Sequence, residues 1–136
     1  MRTLEQLVEH RRRLVGDKVR ITNRLSSTLK NYFPQVLQWF HDKDTAIFCD
    51  FLTQWPPLKA AQLARRTTLE RFFRAHHVRN ADVIEQRIPA IKRATPLTSE
   101  EGVIVPTALL VQALVSQRRV TLHAIETFDH AIAQHA

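Results

Sequence analysis

Glycine and cysteine are both scarce in this 136-residue sequence, and each shortage excludes a class of structure. The two glycines, Gly16 and Gly102, are too few for the tight turns of an all-β domain, so we expect a helical protein. Cys49 is the only cysteine, which excludes an internal disulfide and a cysteine-rich zinc site and indicates a reducing setting. No apolar run approaches the roughly 20 residues of a membrane span, and the N-terminus lacks a signal-peptide pattern. We therefore expect a cytoplasmic protein with no membrane partner.

The sequence also lacks a grouped set of catalytic or metal-binding side chains. Asp42, Asp44 and Asp50 are close in sequence, but their spacing is more typical of a turn and a helix cap than of a magnesium site. His76 and His77 are adjacent, and neighbouring helical side chains point about 100° apart, which makes a poor chelate. No phosphate-binding glycine loop or dinucleotide fingerprint occurs. We therefore predict no catalytic residue, no metal site, no cofactor and no small-molecule substrate.

Positive charge is what the sequence has in excess, and it is unevenly distributed. Twenty Lys and Arg against thirteen Asp and Glu give a net charge of +7. Residues 1–33 carry eight basic and three acidic side chains, residues 59–93 carry nine and three, and the remainder is net acidic. Clustered Lys and Arg displace counterions from nucleic acid, so this pattern indicates a polyanionic partner. A merely soluble basic surface is the alternative interpretation.

The two ends of the chain each carry a heptad pattern. In the first segment Leu7, Leu14 and Ile21 form one column, and the alternate column is cationic in its middle, at Arg11 and Lys18, and apolar at its ends, as at Leu25. In the second segment the seam, with spacings of three and four, includes Leu114, Arg118, Ile125 and Phe128. This periodicity predicts long helices over about residues 3–32 and 98–136. The two helices can bury their seams as an antiparallel, coiled-coil-like pair within one chain, or equally well against a second copy of the chain.

Between the long helices, the sequence predicts a group of short amphipathic helices over about residues 45–93. Apolar spacing over residues 58–76 continues as in a single helix with arginines outside. The stretch over residues 58–78 could also pass for a helix-turn-helix, but no glycine marks a turn, so we expect one helix. Asn80 is the expected N-cap of a further helix that Pro89 should interrupt or kink. The length suits one domain, so we predict a single all-α domain over residues 1–136.

Five arginines are the candidate phosphate-binding residues: Arg12, Arg20, Arg24, Arg71 and Arg74. In the first segment, acids four residues away are expected to neutralise some charges, as in the Glu9–Arg13 and Arg13–Asp17 pairs. The first three candidates have no acid at that spacing before them. The other two lie on the outer side of the arginine-rich helix that is expected to touch backbone phosphates.

Several stretches of the sequence resemble a known family. The run LVEHRRRLV at residues 7–15, followed by KVRITNRL at residues 18–25, is similar to the helical connector of RuvC-like DEDD transposases of bacterial insertion sequences. Some members of this family are bridge-RNA-guided recombinases. Residues 46–56, Leu63-Ala64 and residues 69–78 resemble the helical insert that follows in the family. Together these stretches cover nearly the whole chain.

The resemblance implies a three-part parent protein. In that family a nuclease-like domain supplies four acidic metal ligands, a helical coiled-coil domain follows, and a C-terminal domain supplies a serine nucleophile. No residue of this sequence matches either catalytic motif; the serines Ser26, Ser27, Ser99 and Ser116 lie in segments that do not resemble the C-terminal domain. The chain therefore looks like the central part of a transposase, without active-site residues of its own.

The sequence thus predicts a non-catalytic scaffold that assembles transposase protomers and binds the backbone of DNA, and possibly of a guide RNA. A homo-oligomer is expected. Two alternatives stay open: an oligomerisation module whose arginines only solvate its surface, and a small helix-turn-helix regulator that binds duplex DNA.

Overall fold

The computed structural model describes residues 2–78 and 80–136, which form seven helices and no strand. These helices are α1 (Arg2–Lys30), α2 (Gln35–Trp39), α3 (Ala46–Gln54), α4 (Leu58–Leu63), α5 (Arg66–Ala75), α6 (Ala81–Arg93) and α7 (Glu101–His135). The predicted all-α class is confirmed, as are the two long terminal helices. The helix α2 was not expected.

The two long helices pack together along much of their length. Arg11 of α1 forms an ion pair with Asp129 of α7, while Thr22 of α1 accepts a hydrogen bond from Arg118 of α7. The start of α1 thus contacts the end of α7, and the predicted seam residues of both helices are buried or half-buried. Neither long helix, nor any shorter one within the described ranges, combines the length and apolar character that crossing a bilayer requires.

Burial divides the molecule into a stalk and a head. In α1, only Leu25 and Leu29 are buried, whereas the seam residues nearer its start, such as Leu7 and Leu14, are half-buried. We call α1 before residue 25, together with the part of α7 that packs beside it, the stalk. The rest of the described chain is the head. The α1 side of the stalk seam therefore stays partly accessible, whereas Ile125 on α7 is buried.

The head core is rich in aromatic side chains. Phe51 of α3 lies at its centre, with ring centroids 5.1 Å from both Phe40 and Trp55 and 5.8 Å from Phe72. Phe33, which follows α1, lies 6.4 Å from Phe51 on another side. Aromatic pairs at such separations contribute about 0.5–1.5 kcal/mol each beyond the burial of apolar area. These contacts join α2, α3 and α5 to the end of α1.

The prediction of one helix over residues 58–76 is wrong. The first helix, α4, ends at Leu63. The next two residues, Ala64 and Arg65, adopt extended backbone conformations, and α5 begins at Arg66. The break is held from α6: the Lys92 ammonium donates to the carbonyls of Gln62 and Ala64 at the end of α4. Carbonyls at a helix end lack partners within the helix, so this contact satisfies them and stabilises the break.

The end of α6 is capped in return by α4. The Gln62 side chain donates from Nε2 to the carbonyl of Ile91 at 3.1 Å and to that of Ala94 at 2.7 Å. At its start, Asn80 accepts a hydrogen bond from the Asp82 amide at 2.9 Å, which confirms the predicted N-cap. Pro89 lies inside α6, which continues to Arg93, so of the two expected effects of this proline an interruption of the helix does not occur.

Candidate nucleic-acid interface

Two of the predicted phosphate-binding arginines are already paired with acids on their own helix. Arg12 donates to Glu9 at 2.7 and 3.0 Å, and Arg13 shares the same carboxylate at 3.3 Å. The hydrogen bond from Arg12 is the main reason that the pKa of Glu9 falls to about 2. Arg20 pairs in the same way with Asp17. Both acids lie three residues before their arginine, a spacing that the sequence argument did not consider.

A groove runs between α1 and α7 where the stalk meets the head. Its volume is about 660 Å³, and Arg20 and Arg24 line one side of it. Ile21 and Val120 contribute apolar surface to the same groove. The ion pairs within the described residues include none to Arg24, so this guanidinium is open to an added anion.

The outer surface of α5 carries the other two candidates. Leu69 and Phe73 of α5 are buried in the core, whereas Arg71 and Arg74 are exposed. The nearby acids bind a different cation: Arg66 donates to Glu70 at 2.8 Å and to Glu85 at 2.7 Å. In the part of the chain that the structure describes, neither Arg71 nor Arg74 forms an ion pair.

The five candidates lie on two different helices. Arg12, Arg20 and Arg24 belong to α1, whose main packing partner is α7. Arg71 and Arg74 belong to α5, which packs on α6.

Arg118 lies where stalk and head join, and its role there was not predicted from the sequence. Its side chain is fully buried and donates three hydrogen bonds: to Thr22 Oγ1 at 3.1 Å, to Cys49 Sγ at 3.3 Å, and to Asp44 Oδ1 at 2.6 Å. Lys18 reaches the same Asp44 oxygen at 3.6 Å. A buried guanidinium needs partners in this way because its desolvation is costly. The cluster therefore fixes α7 to both α1 and α3.

A second polar cluster joins α3, α5 and α7 through Asp50. Its carboxylate accepts from Arg119 with one oxygen and lies 2.7 Å from His76 Nε2 with the other. His76 Nδ1 lies 2.8 Å from the carbonyl of Phe72. Since a carbonyl and a carboxylate both only accept, the two contacts together favour the doubly protonated imidazolium. Burial lowers the pKa of His76, but the hydrogen bonds to Asp50 and Phe72 outweigh it, and the pKa is raised.

Neither cluster has the composition of a metal centre. Across residues 2–78 and 80–136, no group of three or more His, Cys, Asp or Glu side chains is arranged to hold a metal ion. Cys49 is buried, and its sulfur accepts a hydrogen bond from Arg118. His77, which follows the polar cluster, has a positive φ of 65°, an uncommon conformation for a residue other than glycine.

Comparison with protein-family models, with curated proteins and with solved structures finds no significant match to this chain.

Proposed function

We propose that this chain is a non-catalytic helical scaffold that binds the phosphate backbone of nucleic acid. The observation that supports this most directly is the outer face of α5, where Arg71 and Arg74 are exposed while the neighbouring acids are occupied by Arg66. Arginine without a carboxylate partner keeps all its N–H donors for a phosphate, with which it forms strong charge-assisted hydrogen bonds. Arg24 at the stalk groove is the third such residue.

The wider role follows the resemblance to DEDD transposases. In this proposal the α1–α7 pair is an antiparallel coiled coil that assembles transposase protomers, and the open arginines hold DNA or a guide RNA. The stalk supports this role because its seam is half-buried, which leaves apolar surface for a second protomer.

The proposal is tested by measuring the affinity of the purified chain for labelled duplex DNA and for stem-loop RNA as a function of salt. Each phosphate contact that is lost lowers the slope of log K against log salt by about 0.9 on duplex DNA. The double variant Arg71→Ala/Arg74→Ala should therefore lose about 2 from the slope and bind several-fold more weakly. The matched control, Arg12→Ala/Arg13→Ala, removes the same charge from side chains that Glu9 already binds.

The control should change the slope by less than half as much as the α5 variant. Equal losses in both variants would mean that only net charge matters, and the α5 interface would then be wrong. A wild-type chain that shows no binding at low salt would refute the proposal as a whole and leave an oligomerisation module whose charges serve solubility.

The helix-turn-helix regulator is a second candidate, because the observed break at Ala64 and Arg65 separates α4 from an arginine-bearing α5. In that arrangement Arg71 and Arg74 would approach base edges in a major groove as well as phosphates. A regulator protects a defined duplex sequence in footprinting and resists competition by random duplex. A scaffold that contacts only phosphates is displaced by random duplex at similar concentrations.

A further inference from the structure

A small cavity lies in the head between α2, the turn that follows it, α5 and α6. Its volume is about 250 Å³, and Trp39, Phe40 and Ile84 are among the apolar residues that line it. Two charged side chains, Asp42 and Arg87, line the same cavity. Sites for drug-sized ligands measure roughly 300–1,000 Å³, so this cavity suits a single ring system rather than a larger molecule.

Arg87 is a half-buried charged residue of this cavity that lacks a polar partner in the described part of the chain. Its side chain is half-buried, and the described residues offer it neither a hydrogen bond nor an ion pair. Its one specific contact is with the ring of Phe40, whose centroid lies 5.5 Å from Arg87 Cζ. The half-buried position lowers the pKa of Arg87 through desolvation. The fully buried Arg118, by contrast, donates to three partners.

Asp42 adds an acceptor to the same cavity. One of its oxygens, Oδ1, accepts a hydrogen bond from the Asp44 amide at 2.9 Å, and this contact holds the carboxylate at the turn. The other oxygen has no hydrogen bond within the described residues. The cavity thus combines aromatic and aliphatic walls with unused guanidinium donors, and the exposed Asp42, whose carboxylate has one oxygen without a hydrogen bond in the described chain, is among its lining residues.

We propose that this cavity receives one unpaired guanine base, which rests on the proposed function because the base belongs to the bound nucleic acid. Guanine presents two acceptors, O6 and N7, that arginine recognises, and N–H groups on its other edge that a carboxylate accepts. Unpaired bases are commonly bound between aromatic side chains and hydrogen-bonded on their edges. Adenine offers a donor where guanine has O6, so Arg87 disfavours it.

The test compares three stem-loop RNAs that share one stem and differ at a single loop position: guanine, adenine or an abasic site. Base stacking on protein rings contributes enough for a preference of roughly tenfold for guanine over the abasic loop. The variant Arg87→Met keeps the apolar stem and removes the donors, and should abolish the preference for guanine over adenine, keep most of the preference of both over the abasic loop, and leave the salt slope unchanged. The control Arg93→Met removes one exposed charge from the same helix and should leave the preference intact.

A second variant keeps the proposal testable if Arg87→Met does not fold. Val83 lines the cavity and is 39% exposed, so Val83→Phe should narrow the cavity from its rim without removing a core side chain. It should also abolish the preference for guanine. If the wild-type chain binds all three loops equally tightly, the base site is wrong while the phosphate-binding scaffold stands. If none of the loops binds, the proposed function itself fails.

Discussion

The ion pair between Arg118 and Asp44 should respond unequally to removal of its two members. The Arg118 side chain is fully buried, whereas the side chain of Asp44 is 62% exposed. In Asp44→Ala a buried guanidinium loses its counter-charge, and Lys18, another cation, remains beside it. Breaking a buried ion pair in this way costs about 3–5 kcal/mol, and solvent access on the Asp44 side argues for the lower end of that range.

The opposite change leaves no buried charge behind. In Arg118→Met the Asp44 carboxylate is solvated and retains Lys18 at 3.6 Å, and the methionine replaces the apolar stem of the arginine. The loss is then mainly that of net hydrogen bonds, about 1–2 kcal/mol. We therefore expect Asp44→Ala to be the more destabilising variant by about 1–2 kcal/mol.

Urea unfolding followed by the fluorescence of Trp39 and Trp55 measures both variants. With a slope of about 2 kcal/mol per molar urea, Asp44→Ala should lower the midpoint by about 1.5 M and Arg118→Met by about 0.5–1 M. The double variant Asp44→Ala/Arg118→Met should be more stable than Asp44→Ala alone. If Asp44→Ala costs no more than Arg118→Met, water reaches the guanidinium and the argument from burial is refuted.

Three further predictions concern the head and the stalk. Lys92→Met removes the donor that caps the end of α4 and should lower the free energy of unfolding by about 1 kcal/mol in urea titration; an unchanged midpoint would contradict this role. The raised pKa of His76 means that its contacts stabilise the fold fully below about pH 6.5 and less as pH rises through the folded pKa. The wild type should therefore be more stable than His76→Gln at acidic pH and lose this advantage as pH rises to mildly alkaline values. A stability difference that does not change with pH would contradict the prediction. Arg24→Ala should weaken nucleic-acid binding more than Arg12→Ala in anisotropy titrations, because Glu9 already binds Arg12. A larger loss of affinity in Arg12→Ala would exclude the stalk groove as a phosphate-binding site.

The features that the sequence predicts best are the long helices and their buried faces, which depend on helical periodicity. Seam residues Leu25, Leu114 and Ile125 are buried as expected, because a three-four pattern sustained over eight turns leaves few alternatives. The same rule fails at Ala64, because Ala61 and Leu69 are both buried and keep a helix-like spacing across the break.

The breaks and the charged clusters depend on contacts between distant residues. Lys92 lies 28 positions from the Ala64 carbonyl that it caps, and Arg118 lies 74 positions from Asp44. Sequence places Arg118 on the seam of α7, but nothing local in the sequence says which acid neutralises it. Local spacing could have found the pairs of Arg12 and Arg20, since their acids lie three residues away.

Within the described residues, only some of the candidate arginines lack an acidic partner, and their number limits how tightly one chain can bind nucleic acid. If Arg24, Arg71 and Arg74 are the only phosphate contacts, three contacts give a salt slope of about −2.7 on duplex DNA. A slope near −5 would require about twice as many contacts, as two protomers on one duplex supply. Arg71→Ala/Arg74→Ala would then lower the slope by about 4 rather than 2, because each protomer loses both contacts. The size of that loss therefore reports how many copies of the α5 face touch the ligand, independently of the oligomeric state of the free protein.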